Sequence, residues 1–218
     1  MIETHSASSD AADAAAEGIV AALADGLALR DRASLIATGG RSPGAIYDRL
    51  AQAALSWAQI TISLSDERCV PPDAPESNAG LVRQRLLRGP AVAAHFLPLS
   101  PAPDAAALRA LAPFDVVMLG MGEDGHIASL IPGDPGLEDA LATADLIRAV
   151  PAGLGKPPLA RITLSLSALA NARAIFLLIS GETKREVLAR AVAGGNLPVA
   201  RLLSKAKAPV RILWSPEV

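Results

Sequence analysis

The sequence predicts an α/β domain with a mainly parallel sheet flanked by helices. Short apolar runs alternate with segments of helical period, the pattern of strand–helix–strand units. Apolar residues make up 51% of the chain and aromatic residues only 3%, so Ala, Leu, Val and Ile must build the core. That composition suits helices packed on a sheet better than an aromatic-rich β-sandwich. Polar clusters follow directly on apolar runs, at the strand ends where open parallel sheets carry their ligands.

The 218 residues fit one domain, placed at residues 11–218 behind a short flexible N-terminus, residues 1–10. No repeat or low-complexity tract interrupts it, and the breaker-rich Pro151–Pro158 is too short to act as an interdomain linker. The net charge is −2 and the basic residues are scattered. Nucleic acid and anionic membrane are therefore excluded as main partners, whereas a small anion in a local basic pocket is not. Cys69 is the only cysteine, which excludes an intramolecular disulfide and a cysteine-rich zinc site. The acidic start lacks the layout of a secretory signal, and apolar runs such as Ala174–Ile179 are too short to cross a bilayer. The protein reads as cytoplasmic. Its weak apolar surface signal favours a monomer without fixing the oligomeric state.

Ala11–Leu29 carries Ile19, Val20, Leu23 and Leu27 at helical spacing. Ala33–Ala37 is a strand stopping at Thr38-Gly39-Gly40, and Ser42-Pro43 reads as N-cap and first residue of a helix through about Ala53. Ile60–Leu64 is a strand ending in Ser65-Asp66-Glu67-Arg68. Ser77–Leu87 and Ala105–Leu111 read as helices, and Phe114–Leu119 as a buried strand. A glycine-rich loop, Gly120–Gly136, holds His126. Arg161–Leu164 and Ala174–Ile179 read as strands around a helical turn at Ser165–Leu169. Thr183–Val192 and Val199–Ser204 are helical, and Val210–Trp214 closes the sheet.

Three clusters are candidate binding loops. In ATGGRSP, the amides of Gly39 and Gly40, the Ser42 hydroxyl and a helix N-terminus can cradle a phosphate, although the segment also reads as a tight turn with an ordinary N-cap. Asp66 and Arg68 stand just past a strand and fit a pocket or a surface ion pair, and Asn78 fits a helix cap. In GMGEDGHIASLIPG the glycines imply a close backbone approach. His126 is the natural general base near neutral pH, and Asp124 can orient its imidazole or meet substrate. His5 and His95 read as structural or incidental. Arg161 opens a strand, and Lys184 lies in a first helical turn, where a cation opposes the dipole unless it serves an anion. No His/Cys/Asp/Glu cluster has ligand spacing, so no metal site is expected. There is no G-x-S-x-G elbow, and Ser129 follows His126 without a triad partner.

ATGGRSP, SLSDERCVPPDAPESNAG, LGMGEDGHIASLIPG and PLARITLSLSALANARAIFLLISGETKREVL, in this order, resemble the 6-phosphogluconolactonase family from about Ala11 to Trp214. The resemblance implies a Rossmann-like parallel sheet flanked by helices, shared with glucosamine-6-phosphate deaminases, ribose-5-phosphate isomerases and coenzyme A transferases. It implies hydrolysis of the small molecule 6-phospho-D-glucono-1,5-lactone to 6-phospho-D-gluconate in the oxidative pentose phosphate pathway, without a metal or other cofactor. By position, Gly39, Gly40 and Ser42 match the phosphate-side loop, Arg161 and Lys184 the phosphate cations, and Asp66, Arg68 and Asn78 pocket residues. His126 matches the proposed base. Cys69, Ile127 and Ile131 stand where the family more often has Trp, Thr and Phe, a change of pocket shape rather than of polar chemistry.

One rival is an amino-sugar-phosphate deaminase/isomerase, whose loop resembles GxGxDGHIAFNEPG. Ile131 lies where that motif has its glutamate, and an isoleucine cannot shuttle a proton. The other is a non-catalytic sugar-phosphate-binding protein. Only about ten residues precede the first helix, too few for a helix-turn-helix module, and His126 in its glycine loop favours catalysis.

Overall fold

The structure is a computed structural model and describes residues 2–216. Along the chain lie β1 (Ile2–Thr4), α1 (Ser8–Arg30), β2 (Ala33–Ala37), α2 (Pro43–Leu50), β3 (Ile60–Leu64), β4 (Asp66–Arg68), α3 (Asn78–Arg85), β5 (His95–Phe96) and α4 (Ala105–Ala110). They are followed by β6 (Phe114–Gly120), α5 (Leu137–Ala142), β7 (Ile147–Val150), β8 (Arg161–Leu164), α6 (Leu166–Ala170), β9 (Ala172–Ser180), α7 (Glu182–Val192), α8 (Pro198–Lys205) and β10 (Val210–Ser215). Seven strands form one sheet, β1-β10-β9-β6-β2-β3-β5, with every neighbouring pair parallel. A smaller antiparallel sheet runs β4-β8-β7. The predicted parallel α/β fold is the observed one, and the small sheet is an addition to it.

Every residue of β2 is buried, as are Phe114 to Leu119 of β6, so both faces of the sheet centre are covered. α1 presents Ala12, Ala15, Ala16, Ile19 and Leu23 to this core. Fully burying each large aliphatic side chain contributes about 1.5–3 kcal/mol. One carboxylate interrupts the apolar run of β6: Asp115 accepts from the Ser34 amide at 2.7 Å, the Ser34 hydroxyl at 3.0 Å and Arg30 at 2.5 Å. Satisfied in this way, it ties the start of β6 to the start of β2.

The N-terminus departs from expectation. Residues 2–10 are not a tail: Ile2, Glu3 and Thr4 pair with Ile212, Leu213 and Trp214, and α1 already begins at Ser8. Glu3 holds Arg211 through two 2.8 Å hydrogen bonds, which fixes β1 at the sheet edge. At the other end, Glu217 and Val218 lie outside the described residues.

From β2 the chain passes to β3 and β5 on one side and returns to β6 on the other, so strand order reverses at β2. Such a reversal opens a crevice beyond the C-terminal strand ends. Ser65 hooks the small sheet over that crevice: its amide donates to Ala37 O at 2.7 Å, and its carbonyl accepts from the Leu164 amide at 2.9 Å.

Candidate active site

The crevice is a cavity of about 890 Å³. Gly39, Gly40, Ser42, Asp66, Arg68, Asn78, Asp124, His126, Arg161 and Lys184 all line it, so the structure brings together every site residue named from sequence.

The loop after β6 folds back on itself. Ile127 bridges Met121 and Leu130, and Gly122 N donates to His126 O at 2.9 Å. Ile127 and Leu130 are fully buried and anchor the loop, leaving the His126 ring on the cavity side. A β-carbon on Gly122 would lie 2.2 Å from the imidazole, so only glycine leaves room for the ring. Gly125 has φ +79°, and its β-carbon would meet Leu197 at 2.7 Å. His126 Nδ1 lies 2.5 Å from Asp124 Oδ1, which also accepts from the His126 amide at 3.2 Å. Burial alone would raise the Asp124 carboxyl, but its hydrogen bonds from His126 outweigh burial and hold it below the usual carboxylate value. An ionised Asp124 assigns the proton to Nδ1 and leaves the Nε2 lone pair for the cavity.

The DER cluster is itself a strand, and strand alternation sorts its side chains. Asp66 and Arg68 line the cavity. Glu67 points the other way and accepts from the amides of Asn78 at 2.8 Å and Ala79 at 2.6 Å, a buried carboxylate at the α3 N-terminus. The N-cap of α3 is Ser77, whose hydroxyl accepts from Gly80 N at 3.0 Å, so Asn78 does not cap. Its side chain instead donates to Asp66 O at 2.8 Å and accepts from Arg68 Nη1 at 2.7 Å.

Arg68 and Arg161 are direct partners across the β4–β8 pair. Like charges in such positions repel. Burial first, and the Arg68 charge second, lower the Arg161 guanidinium from its usual value, against the pull of Asp66. Both Nε atoms are buried without a hydrogen-bond partner. Lys184 belongs to another group: burial and the Arg41 charge lower it, opposed by Glu123. Besides Lys156 on the Gly153–Gly155 side, the cavity's cations fall into two sets, Arg68 with Arg161 beside Asp66, and Arg41 with Lys184 beside the glycine turn.

That turn is fixed from below. The Tyr47 hydroxyl donates to Thr38 O at 2.5 Å and accepts from Thr38 N at 2.9 Å, with the ring fully buried. Burial pushes the phenol well above its usual value, so it stays protonated. Ser42 is N-cap by position only; its backbone is helical and its hydroxyl makes no cap bond. It lines the cavity instead.

Sequence reasoning missed Arg41, Tyr47 and the role of Ser129, whose buried hydroxyl donates to Asp66 Oδ2 at 2.6 Å. Arg41 lies inside the ATGGRSP motif, between its glycines and Ser42. Nothing in the sequence pairs Ser129 with Asp66. Among the described residues no group of three or more His, Cys, Asp or Glu is placed to hold a metal ion, and no helix is long and apolar enough to cross a membrane.

Comparison with known proteins identifies the family. A family model described as glucosamine-6-phosphate isomerases/6-phosphogluconolactonase matches residues 6–214. A 6-phosphogluconolactonase of Caulobacter vibrioides is 41% identical, with 98% of this chain and 97% of that one covered. One from Rhizobium meliloti is 39% identical, with 94% of each covered. The crystal structure of a 6-phosphogluconolactonase from Shewanella baltica superposes with a TM-score of 0.88 at 35% identity, covering 99% of this chain and 97% of that one. A monomeric glucosamine-6-phosphate deaminase, at 18% identity and a TM-score of 0.76, shares the fold alone. The chain belongs to the glucosamine-6-phosphate isomerase/6-phosphogluconolactonase family.

Proposed function

We propose that this protein is an enzyme that hydrolyses 6-phospho-D-glucono-1,5-lactone to 6-phospho-D-gluconate, with His126 as general base. The observation carrying the mechanism is the 2.5 Å contact between His126 Nδ1 and Asp124 in a cavity rich in cations. Nε2 takes a proton from water as the water oxygen bonds to the lactone carbonyl carbon. The carbonyl oxygen becomes an oxyanion, which preorganised donors stabilise. When the tetrahedral intermediate collapses, the ring C–O bond breaks and His126 returns the proton to the departing ring oxygen. The carboxylic acid so formed loses its proton to solvent, giving a product with a carboxylate at one end and a phosphate at the other.

The two sets of cations suit those two ends. The amides of Gly39 and Gly40, the Ser42 hydroxyl, Arg41 and Lys184 surround the α2 N-terminus and are read as the phosphate site. Arg161 matches a phosphate cation by resemblance, yet its pairing with Arg68 and Asp66 supports a place at the lactone carbonyl. Asn78 holds Arg68 there, and Asp66 offers a carboxylate to sugar hydroxyls. Ile131, at the position of the deaminase glutamate, lines the cavity as an apolar group, which favours lactone hydrolysis over isomerisation.

We further read the protein as a cytoplasmic monomer acting on a small molecule. The exposed large apolar residues Leu29, Val92 and Val192 lie on separate elements, which supports the absence of an apolar docking face. The test of the function is direct. Purified protein should hydrolyse 6-phosphogluconolactone faster than buffer and leave glucosamine 6-phosphate unchanged; turnover of the amino sugar with no effect on the lactone would reverse the assignment.

A further inference from the structure

We propose that Ser129 is a positioning residue whose hydroxyl keeps Asp66 and Arg161 apart, so that both present polar groups to the cavity. The side chain is fully buried between them. Its Oγ donates to Asp66 Oδ2 at 2.6 Å and accepts from Arg161 Nη1 at 3.4 Å. The two charged groups themselves stand 3.8 Å apart, too far for a direct hydrogen bond.

That separation is unusual for a carboxylate and a guanidinium this deeply buried, 5% and 4% exposed. At low effective dielectric their attraction is strong, and left alone they would close to a direct, short, charge-assisted pair. A closed pair spends its donors and acceptors internally. Held open, Asp66 keeps one oxygen on the Ser65 hydroxyl at 3.0 Å, and Arg161 is anchored by Pro157 O at 2.8 Å. Each Asp66 oxygen then keeps a further lone pair, each Arg161 terminal nitrogen a further N–H, and both residues line the cavity.

The direction of the Ser129 hydroxyl is set by its loop. Its amide donates to Thr163 Oγ1 at 3.2 Å, the preceding Ala128 adopts a left-handed φ of 49°, and Ile127 and Leu130 are buried on either side. One loop therefore carries both His126 and the spacer of the Asp66–Arg161 pair. The Ser129 hydrogen is engaged by a carboxylate, which suits a spacer and not a nucleophile.

The inference rests on the reading that Asp66 and Arg161 contact substrate. The test combines kinetics with a crystal structure of Ser129→Ala. We expect kcat/KM for 6-phosphogluconolactone to fall about 10- to 100-fold, the loss of a charge-assisted bond, without a lower Tm. In an Asp66→Asn background the same change should cost nothing further, because Ser129 acts through that carboxylate. Ser129→Cys, similar in volume but a weak donor, should reproduce the loss. In the crystal, Asp66 and Arg161 should close to hydrogen-bond distance. Wild-type kinetics in either Ser129 variant, an additive loss with Asp66→Asn, or an unchanged separation would each overturn the proposal. If wild-type protein does not hydrolyse the lactone, the functional reading fails, and the crystal separation still decides the spacer role by itself.

Discussion

The side-chain amide of Asn78 fills the space that a β-carbon on Gly39 would need, with Oδ1 1.8 Å from that position. Gly39 lies outside the left-handed region, so glycine is required there for room rather than for backbone freedom. This contact locks the glycine turn after β2 to Arg68 of the small sheet, because the same Asn78 oxygen accepts from Arg68 at 2.7 Å.

Gly39→Ala should therefore displace Asn78, release Arg68 and lower kcat/KM about 10- to 100-fold, the loss of one hydrogen bond to a charged group. In an Asn78→Ala background the added methyl group has room and should cost little more. A double-mutant cycle should give a coupling of about 0.5–3 kcal/mol. Additive losses would mean that the turn and Arg68 are independent.

Tyr47→Phe removes both hydrogen bonds to Thr38 and leaves a buried amide unsatisfied. A loss of about 1–3 kcal/mol in denaturant unfolding is expected. KM for the phosphorylated lactone should rise with it, since the glycine turn loses its support. An unchanged unfolding midpoint would contradict this role.

Burial and the Arg41 charge lower Lys184 in the folded protein. The unfolded chain therefore holds this proton to higher pH, and the contribution of Lys184 to stability rises with pH in the range below its ordinary value of 10.5. Relative to Lys184→Met, unliganded wild-type protein should gain stability as pH rises through that range. At neutral pH inorganic phosphate should raise the wild-type Tm and have a smaller effect on the variant. Equal phosphate shifts in both proteins would remove Lys184 from the anion site.

The two sets of cations can be separated with two substrates. Lys184→Met should raise KM for the phosphorylated lactone about 10- to 100-fold and leave unphosphorylated gluconolactone nearly unaffected. Arg161→Met should impair both, because it is assigned to the reacting end. If Arg161→Met spares gluconolactone, both cations serve the phosphate, as the family resemblance first suggested.

Much of this architecture was legible in the sequence because its signals are local. The apolar runs of β2, β3 and β8 have the predicted bounds, and the glycine loop with His126 stands where periodicity stops. β1 and β5 were not legible: each is very short and is defined by the strand it joins, β10 or β3. β7 carries a half-buried pattern beside a breaker-rich stretch and has no signal of its own. The DER triplet read as a charged strand end, whereas pairing with β8 makes it a strand and turns Glu67 away from Asp66 and Arg68. Ser129 and Tyr47 act through partners distant in sequence, which a single chain cannot reveal.

In this mechanism the Asp124-oriented His126 activates water. Steady-state hydrolysis of 6-phosphogluconolactone by wild-type protein and His126→Ala tests that role. A general-base role predicts a kcat lower by about 10²–10⁴-fold in the variant, with KM nearly unchanged. Unchanged turnover in His126→Ala would contradict it and assign water activation to another group.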